Sequence, residues 1–208
     1  MPPEQILRST DPSAAPALAQ VTVVMPVFNG SDQVEAAVRS ALDQEGLELL
    51  VLIIDDGSTD DTVDVLKSLK QQFPGRIDFI EKENGGPAAA RNLGVQRATT
   101  EWIAFLDHDD TWHADKLQKQ LAAAAECQAD LVVTGCRNFG ETENVAEQRH
   151  APDREQLGNP FRCLLFGNYF TLSTVVVKRS HVVDVGLFDE RWKGVEDWDL
   201  WLLSLIHI

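Results

Sequence analysis

Basic residues are scarce in this 208-residue chain: 18 Lys and Arg stand against 33 Asp and Glu, a formal net charge of −15. A nucleic-acid binder needs a basic footprint to displace counterions from phosphates, so the balance argues against that class. Small phosphorylated ligands stay open, because a divalent cation can invert the local charge. Cysteine is scarce too. Cys127, Cys136 and Cys163 form neither a C-x-x-C pair nor a disulfide framework, which favours a reducing compartment. No apolar run approaches the ~20 residues of a membrane-spanning helix. The N-terminus lacks the basic and apolar regions of a signal peptide. The expectation is a cytoplasmic chain, with peripheral association at the inner face of a membrane left open. The 44% hydrophobic and 25% charged residues suffice for a sizeable core and exclude general disorder.

Residues Met1 to Gln20, rich in Pro, Ala and Ser and without a sustained period, read as a mobile leader. Val21-Thr22-Val23-Val24-Met25, stopped by Pro26, reads as a buried strand. Apolar residues then recur at helical spacing from Val34 to Leu42. The alternation repeats. Strands are expected at Leu49 to Ile54, Ile77 to Ile80, Trp102 to Leu106, Leu131 to Thr134 and Thr171 to Lys178. Helices are expected from about Asp60, over Ala88 to Ala98, over Lys116 to Cys127, near Ser180 to Val185 and from Glu196. Arg137 to Asn159 turns polar and aperiodic, a surface excursion. The fold class is therefore α/β with a mainly parallel sheet flanked by helices, one domain over residues 21–208. The uncapped apolar ending suggests a domain truncated at its C-terminus.

In such sheets ligands bind beyond the carboxyl ends of the strands, and the acidic clusters stand there. Asp107-His108-Asp109-Asp110 follows a strand with carboxylates two apart, on one face of an extended segment, as a hard divalent ion requires. A solvated turn capping the next helix is the plain alternative. Asp55-Asp56-Gly57-Ser58-Thr59-Asp60 offers carboxylates to a ribose hydroxyl or base N–H, with Ser58 or Asp60 capping the following helix as well. Glu196-Asp197 opens the last helix, where acids suit the macrodipole. The nearby Trp192, Trp198 and Trp201 add a reading in which a desolvated acid serves as general base. Arg91, after Gly85-Gly86-Pro87, is a candidate partner for a diphosphate or pyrimidine, or for a neighbouring acid. His108, His113, His150 and His181 show no zinc spacing and read mostly as surface residues.

Taken in order, Met25-Pro26-Val27-Phe28-Asn29, Ile54 to Asp60, Gly86 to Asn92, Phe105 to Asp110 and Glu196 to Trp201 closely resemble the family 2 glycosyltransferases. The match runs from Val21 to about Leu203. The resemblance implies the GT-A fold, a Rossmann-like mainly parallel sheet, and an inverting transferase. Its donor would be a nucleotide-sugar, a UDP-sugar first, and its acceptor a carbohydrate or lipid-linked hydroxyl. It implies that Pro26, Phe28, Asp55 and Asp56 cradle the nucleoside and that Arg91 belongs to the nucleotide pocket. Asp107 and Asp109 would form the D-x-D pair for Mn2+ or Mg2+, Asp109 touching the metal directly. Asp197 would be the catalytic base, with Glu196 beside it.

Two other classes remain. A sugar-1-phosphate nucleotidyltransferase also joins an α/β nucleotide fold to acidic metal ligands, but it wants a basic Gly-rich loop after the first strand, and Pro26 to Gly30 has no Lys or Arg. A nucleotide-sugar-binding module without turnover would carry the same residues.

Overall fold

A computed structural model describes residues 20–138, 149–150 and 152–206; of the leader expected over residues 1–20, all but Gln20 lies outside them, and Gln20 opens the first strand instead. The first half runs β1 (Gln20–Val27), α1 (Val34–Leu42), β2 (Glu48–Asp55), α2 (Thr62–Gln72), β3 (Ile77–Glu81), α3 (Pro87–Arg97) and β4 (Trp102–Phe105). Then come α4 (Lys116–Cys127), β5 (Leu131–Val132), β6 (Cys136–Arg137), β7 (Arg149–His150), α5 (Arg154–Gly158), α6 (Pro160–Leu164) and a 3-10 turn, Leu172–Thr174. The described chain closes with β8 (Val176–Lys178), α7 (Arg179–Asp184) and α8 (Glu196–Ile206). The main sheet has the order β3-β2-β1-β4-β8-β5. Its first four strands are parallel, and β8 is antiparallel to both its neighbours.

β1 is apolar almost throughout because both of its faces are covered. Val21, Val23 and Met25 pack with α1, α4 and the inner side of α2, while Val24 turns the other way with Ile103, Phe105 and the residues of α8. On that second face Trp201 is fully buried, its ring 6.4 Å from those of Phe105, Phe170 and Phe188. Aromatic rings at such separations attract through their quadrupoles as well as by burial. This cluster is what ties α8 to the sheet.

Two segments differ from the sequence reading. Thr171 to Lys178 is not one strand: Thr174 donates from both its N–H (2.9 Å) and its hydroxyl (2.6 Å) to the Thr171 carbonyl, which winds a 3-10 turn before β8. The excursion after Arg137 contains the β6–β7 pair and α5, closed at its start by a capping box of Asp153 and Gln156. No described helix is long and apolar enough to cross a membrane.

The strand order fixes where a ligand can enter. From β1 the chain steps outward to β2 and β3, then returns to place β4 on the other side of β1. The crevice beyond the ends of β1 and β4 is the switch point of the sheet.

Candidate active site

A cleft of about 490 Å³ opens at this switch point, lined by Pro26, Phe28, Asp56, Arg91, Asp107 and Asp109 among others. Residues from three strand ends and one helix thus meet. The loops after β1 and β2 are stitched together: Asn29 N–H donates to Ser58 Oγ (2.9 Å) and Thr59 N–H to Asn29 Oδ1 (2.8 Å). This leaves Phe28, 46% exposed, as an aromatic face on the rim.

Asp56, 4% exposed, is largely committed. Its carboxylate accepts from Lys82 Nζ, from Gly85 N–H (3.0 Å) and from Gly86 N–H (2.7 Å), while Asn84 Nδ2 donates to its carbonyl. Gly86 sits at φ +89°, a conformation open to glycine, as it leads into α3. A carboxylate has about four acceptor positions, so these three bonds leave roughly one unused. Asp55 is not brought to the cleft. It is 2% exposed, accepts from Ser58 N–H, and keeps Oδ1 buried without a partner. The alternation of side chains along β2 turns adjacent acids to different environments. Neither Ser58 nor Asp60 is the cap expected of it: Asp61 precedes α2 and its side chain caps nothing, while Asp60 accepts from Thr62 N–H and hydroxyl, the hydroxyl bond chiefly holding its pKa down at about 2.

Arg91 is 7% exposed although it lines the cleft. Its Nη2 donates to Asp107 Oδ1 (2.9 Å) and its Nη1 to Glu196 Oε1 (3.0 Å). One guanidinium therefore spans from the loop after β4 to the first residue of α8. Arg91 Nε and Glu196 Oε2 are buried without partners. Glu196, 5% exposed, faces this ion pair rather than a cavity.

In the loop after β4, Asp107 N–H donates to Ser173 Oγ (3.0 Å). Asp109 is exposed and makes no hydrogen bond or ion pair among the described residues. Burial pushes the half-buried Asp110 carboxyl up, against a hydrogen bond from Ser173 that lowers it. Asp197 stands outside the lining of the cleft, one residue from Glu196. Asn168 Nδ2 donates to its Oδ2 (3.0 Å), and the Trp198 N–H to its Oδ1 (2.7 Å). Burial nevertheless raises its pKa, the Glu196 charge adds to the rise, and Arg91 opposes it.

The sequence reading missed several members. His108, one of four histidines read mostly as surface residues, is half-buried and lines the cleft. Its place inside the acidic motif was the available signal. Lys82, Asn84, Asn168 and Ser173 belong to no motif, and only the folded chain brings them to the acids. Among the described residues no group of three or more His, Cys, Asp and Glu gathers as a ready metal cage.

Residues 22–181 match the model of a protein family described as "Glycosyl transferase family 2". An uncharacterized glycosyltransferase of Rickettsia felis is 34% identical over 183 residues, 88% of this chain and 30% of that protein. A Bacillus subtilis protein provisionally named teichuronic acid biosynthesis glycosyltransferase TuaG is 32% identical, over 89% of this chain and 71% of its own length. Among solved structures, Staphylococcus aureus TarS 1-349 with UDP-GlcNAc is similar at a TM-score of 0.69 and 21% identity. The alignment covers 90% of this chain and 53% of TarS 1-349. The mannosyltransferase PcManGT of Pyrobaculum calidifontis, with GDP-Man and Mn2+, gives a TM-score of 0.67 at 20% identity, over 89% of this chain and 51% of that one. At these identities the structural likeness concerns the fold. The chain spans less than a third of the Rickettsia felis relative.

Proposed function

The chain belongs to glycosyltransferase family 2, and on that premise we propose that it transfers a sugar from a nucleoside-diphosphate sugar to an acceptor hydroxyl. The donor is a UDP-sugar, the acceptor a carbohydrate or lipid-linked glycan, and the setting polysaccharide or glycolipid assembly on the cytoplasmic side. Residues 21–208 are read as one domain of this kind. The observation that supports the reading most is the cleft itself, where Pro26, Phe28, Asp56, Arg91, Asp107 and Asp109 converge at the sheet's switch point. The UDP-GlcNAc and GDP-Man bound by the two similar structures support a nucleotide-sugar donor.

In this reading the exposed Phe28 ring stacks on the base, and Asp56 offers its remaining acceptor position to a base N–H. Arg91 is a positioning residue, since both its terminal nitrogens hold protein carboxylates. Asp107 and Asp109 fit a hard divalent cation: Asp109 has no competing partner among the described residues, and Asp107 gives only Oδ1 to Arg91. Two carboxylates with open surroundings suit an ion that completes its shell with phosphate oxygens and water. Mn2+ or Mg2+ bound there supplies neutralising charge to the departing diphosphate. Asp197 accepts the proton of the attacking hydroxyl, and its raised pKa makes it a better base than an ordinary carboxylate. Attack in one step from the face opposite the leaving group inverts the anomeric carbon.

Calorimetry with UDP and Mn2+, paired with an assay of UDP release from UDP-sugars, tests this. Asp109→Ala is expected to lose the metal-dependent part of UDP affinity. Asp197→Asn is expected to keep that affinity and lose transfer by about 10²-fold or more, the scale of a missing general base. Normal binding and transfer by both variants would overturn the assignment.

A further inference from the structure

The two oxygens of the Asp56 carboxylate are unevenly occupied. Oδ1 accepts from both Lys82 Nζ and Gly85 N–H (3.0 Å), whereas among the described residues Oδ2 accepts from Gly86 N–H alone (2.7 Å). Each carboxylate oxygen has two lone-pair positions, so Oδ1 is full and the open position belongs to Oδ2. This acid lines the cleft.

The chain holds the arrangement from several sides. Strands β2 and β3 run parallel with Asp55 opposite Glu81, and the next N–H, that of Lys82, donates to the Asp55 carbonyl (2.9 Å). Lys82 therefore emerges beside Asp56. The main chain of Asp56 is fixed by its N–H on the Val27 carbonyl (2.8 Å) and by Asn84 Nδ2 on its own carbonyl (2.9 Å). The ammonium has a second anchor in the Glu83 carbonyl (2.6 Å). Gly85 leaves it room, since a Cβ there would stand 2.9 Å from Nζ. The Lys82 and Asp56 side chains are 22% and 5% exposed, so the pair escapes most of the solvent screening that weakens surface ion pairs. Lys82 itself is absent from the lining of the cleft and reaches a ligand there only through Asp56.

The number of open acceptors distinguishes bases. Uracil presents one ring N–H, at N3, between two carbonyl groups. Guanine presents two parallel donors, N1–H and N2–H, which match a carboxylate with an open position on each oxygen. Asp56 satisfies the first edge completely. Against the second it leaves a desolvated N–H without an acceptor, a cost that a base with a single donor avoids.

We propose that Lys82 is a positioning residue for base selection: by filling Oδ1 it leaves Asp56 one acceptor and favours uracil over guanine. This rests on the nucleotide-sugar reading of the cleft and adds the residue that sets its base.

The test is calorimetry with UDP, GDP and inosine diphosphate, each with Mn2+. Hypoxanthine is guanine without the N2 amino group, so inosine diphosphate separates the number of donors from the size of the ring. The wild type is expected to bind UDP more tightly than GDP, and inosine diphosphate about tenfold more tightly than GDP, the scale of one unpaired donor. Lys82→Met opens a position on Oδ1 and is expected to reverse the purine order, with GDP the tighter of the two; Lys82→Arg is expected to restore the wild-type order. A purely structural Lys82 would weaken all three ligands alike. The wild-type comparison needs no variant and stands even if Lys82→Met does not fold. Equal affinities of GDP and inosine diphosphate in the wild type, undetectable binding of both included, GDP as tight as UDP, or an unchanged purine order in folded Lys82→Met would each overturn the proposal. Failure of the wild type to bind any of the three would instead overturn the donor reading beneath it.

Discussion

Asp197 and Glu196 are neighbours in sequence with different surroundings. Glu196 is sealed against Arg91, whereas Asp197 keeps a bond to Asn168 that favours its ionised form. Removing that bond by Asn168→Ala raises the Asp197 pKa further. Because the base must be ionised, the acid limb of the pH–rate profile of UDP release then moves to higher pH, with UDP affinity unaffected. A limb that stays in place would detach Asp197 from the proton transfer. Arg91 gives a stability prediction of opposite character. Arg91→Met leaves the Glu196 carboxylate buried and uncompensated, which costs about 3–5 kcal/mol on the scale of broken buried pairs. Urea unfolding should show this as a lower midpoint at unchanged slope.

Among the elements, α3 and α8 carry the site to its place. Gly94 of α3 lies directly over β1: an added Cβ would stand 2.4 Å from Val24 Cγ1. Gly94→Ala forces α3 outward and is expected to destabilise by about 1–3 kcal/mol, the range for overpacked cores. Since Arg91 lies one turn earlier on the same helix, UDP affinity should weaken as well, measured by calorimetry on the folded variant. Helix α8 is held by Trp201, fully buried amid Phe105, Phe170 and Phe188. Trp201→Ala is expected to cost about 3–5 kcal/mol. Hydrogen exchange should show α8 opening ahead of β1 and β2, because the variant loosens the helix before the sheet. Uniform loss of protection would show that α8 is not a separately anchored element.

For the whole molecule, the acidic balance bears on donor binding. A chain of −15 repels a diphosphate unless a cation stands between them. A ligand bound only by the folded state stabilises by about 2.7 kcal/mol at a hundredfold excess over Kd, or roughly 5–10 °C in Tm for a chain of this size. UDP with Mn2+ is expected to give a shift of that order, and UDP with EDTA a small fraction of it. Equal shifts under the two conditions would remove the metal from the account.

The alternation of strands and helices through α4, the burial of β1 and the acids at the strand ends were legible in the sequence, because periodicity and a strand's direction are local properties. So was the family, carried by five short motifs in order. Local pattern could not separate Asp55, the last residue of β2, from Asp56, which follows it; only packing made one a sealed turn acid and the other the anchor of Gly85 and Gly86. Nor could it show that Arg91 joins Asp107 to Glu196, 105 residues away from it. Those contacts arise where the sheet reverses its order, and the partners a charge finds there depend on distance in space, which the sequence does not contain.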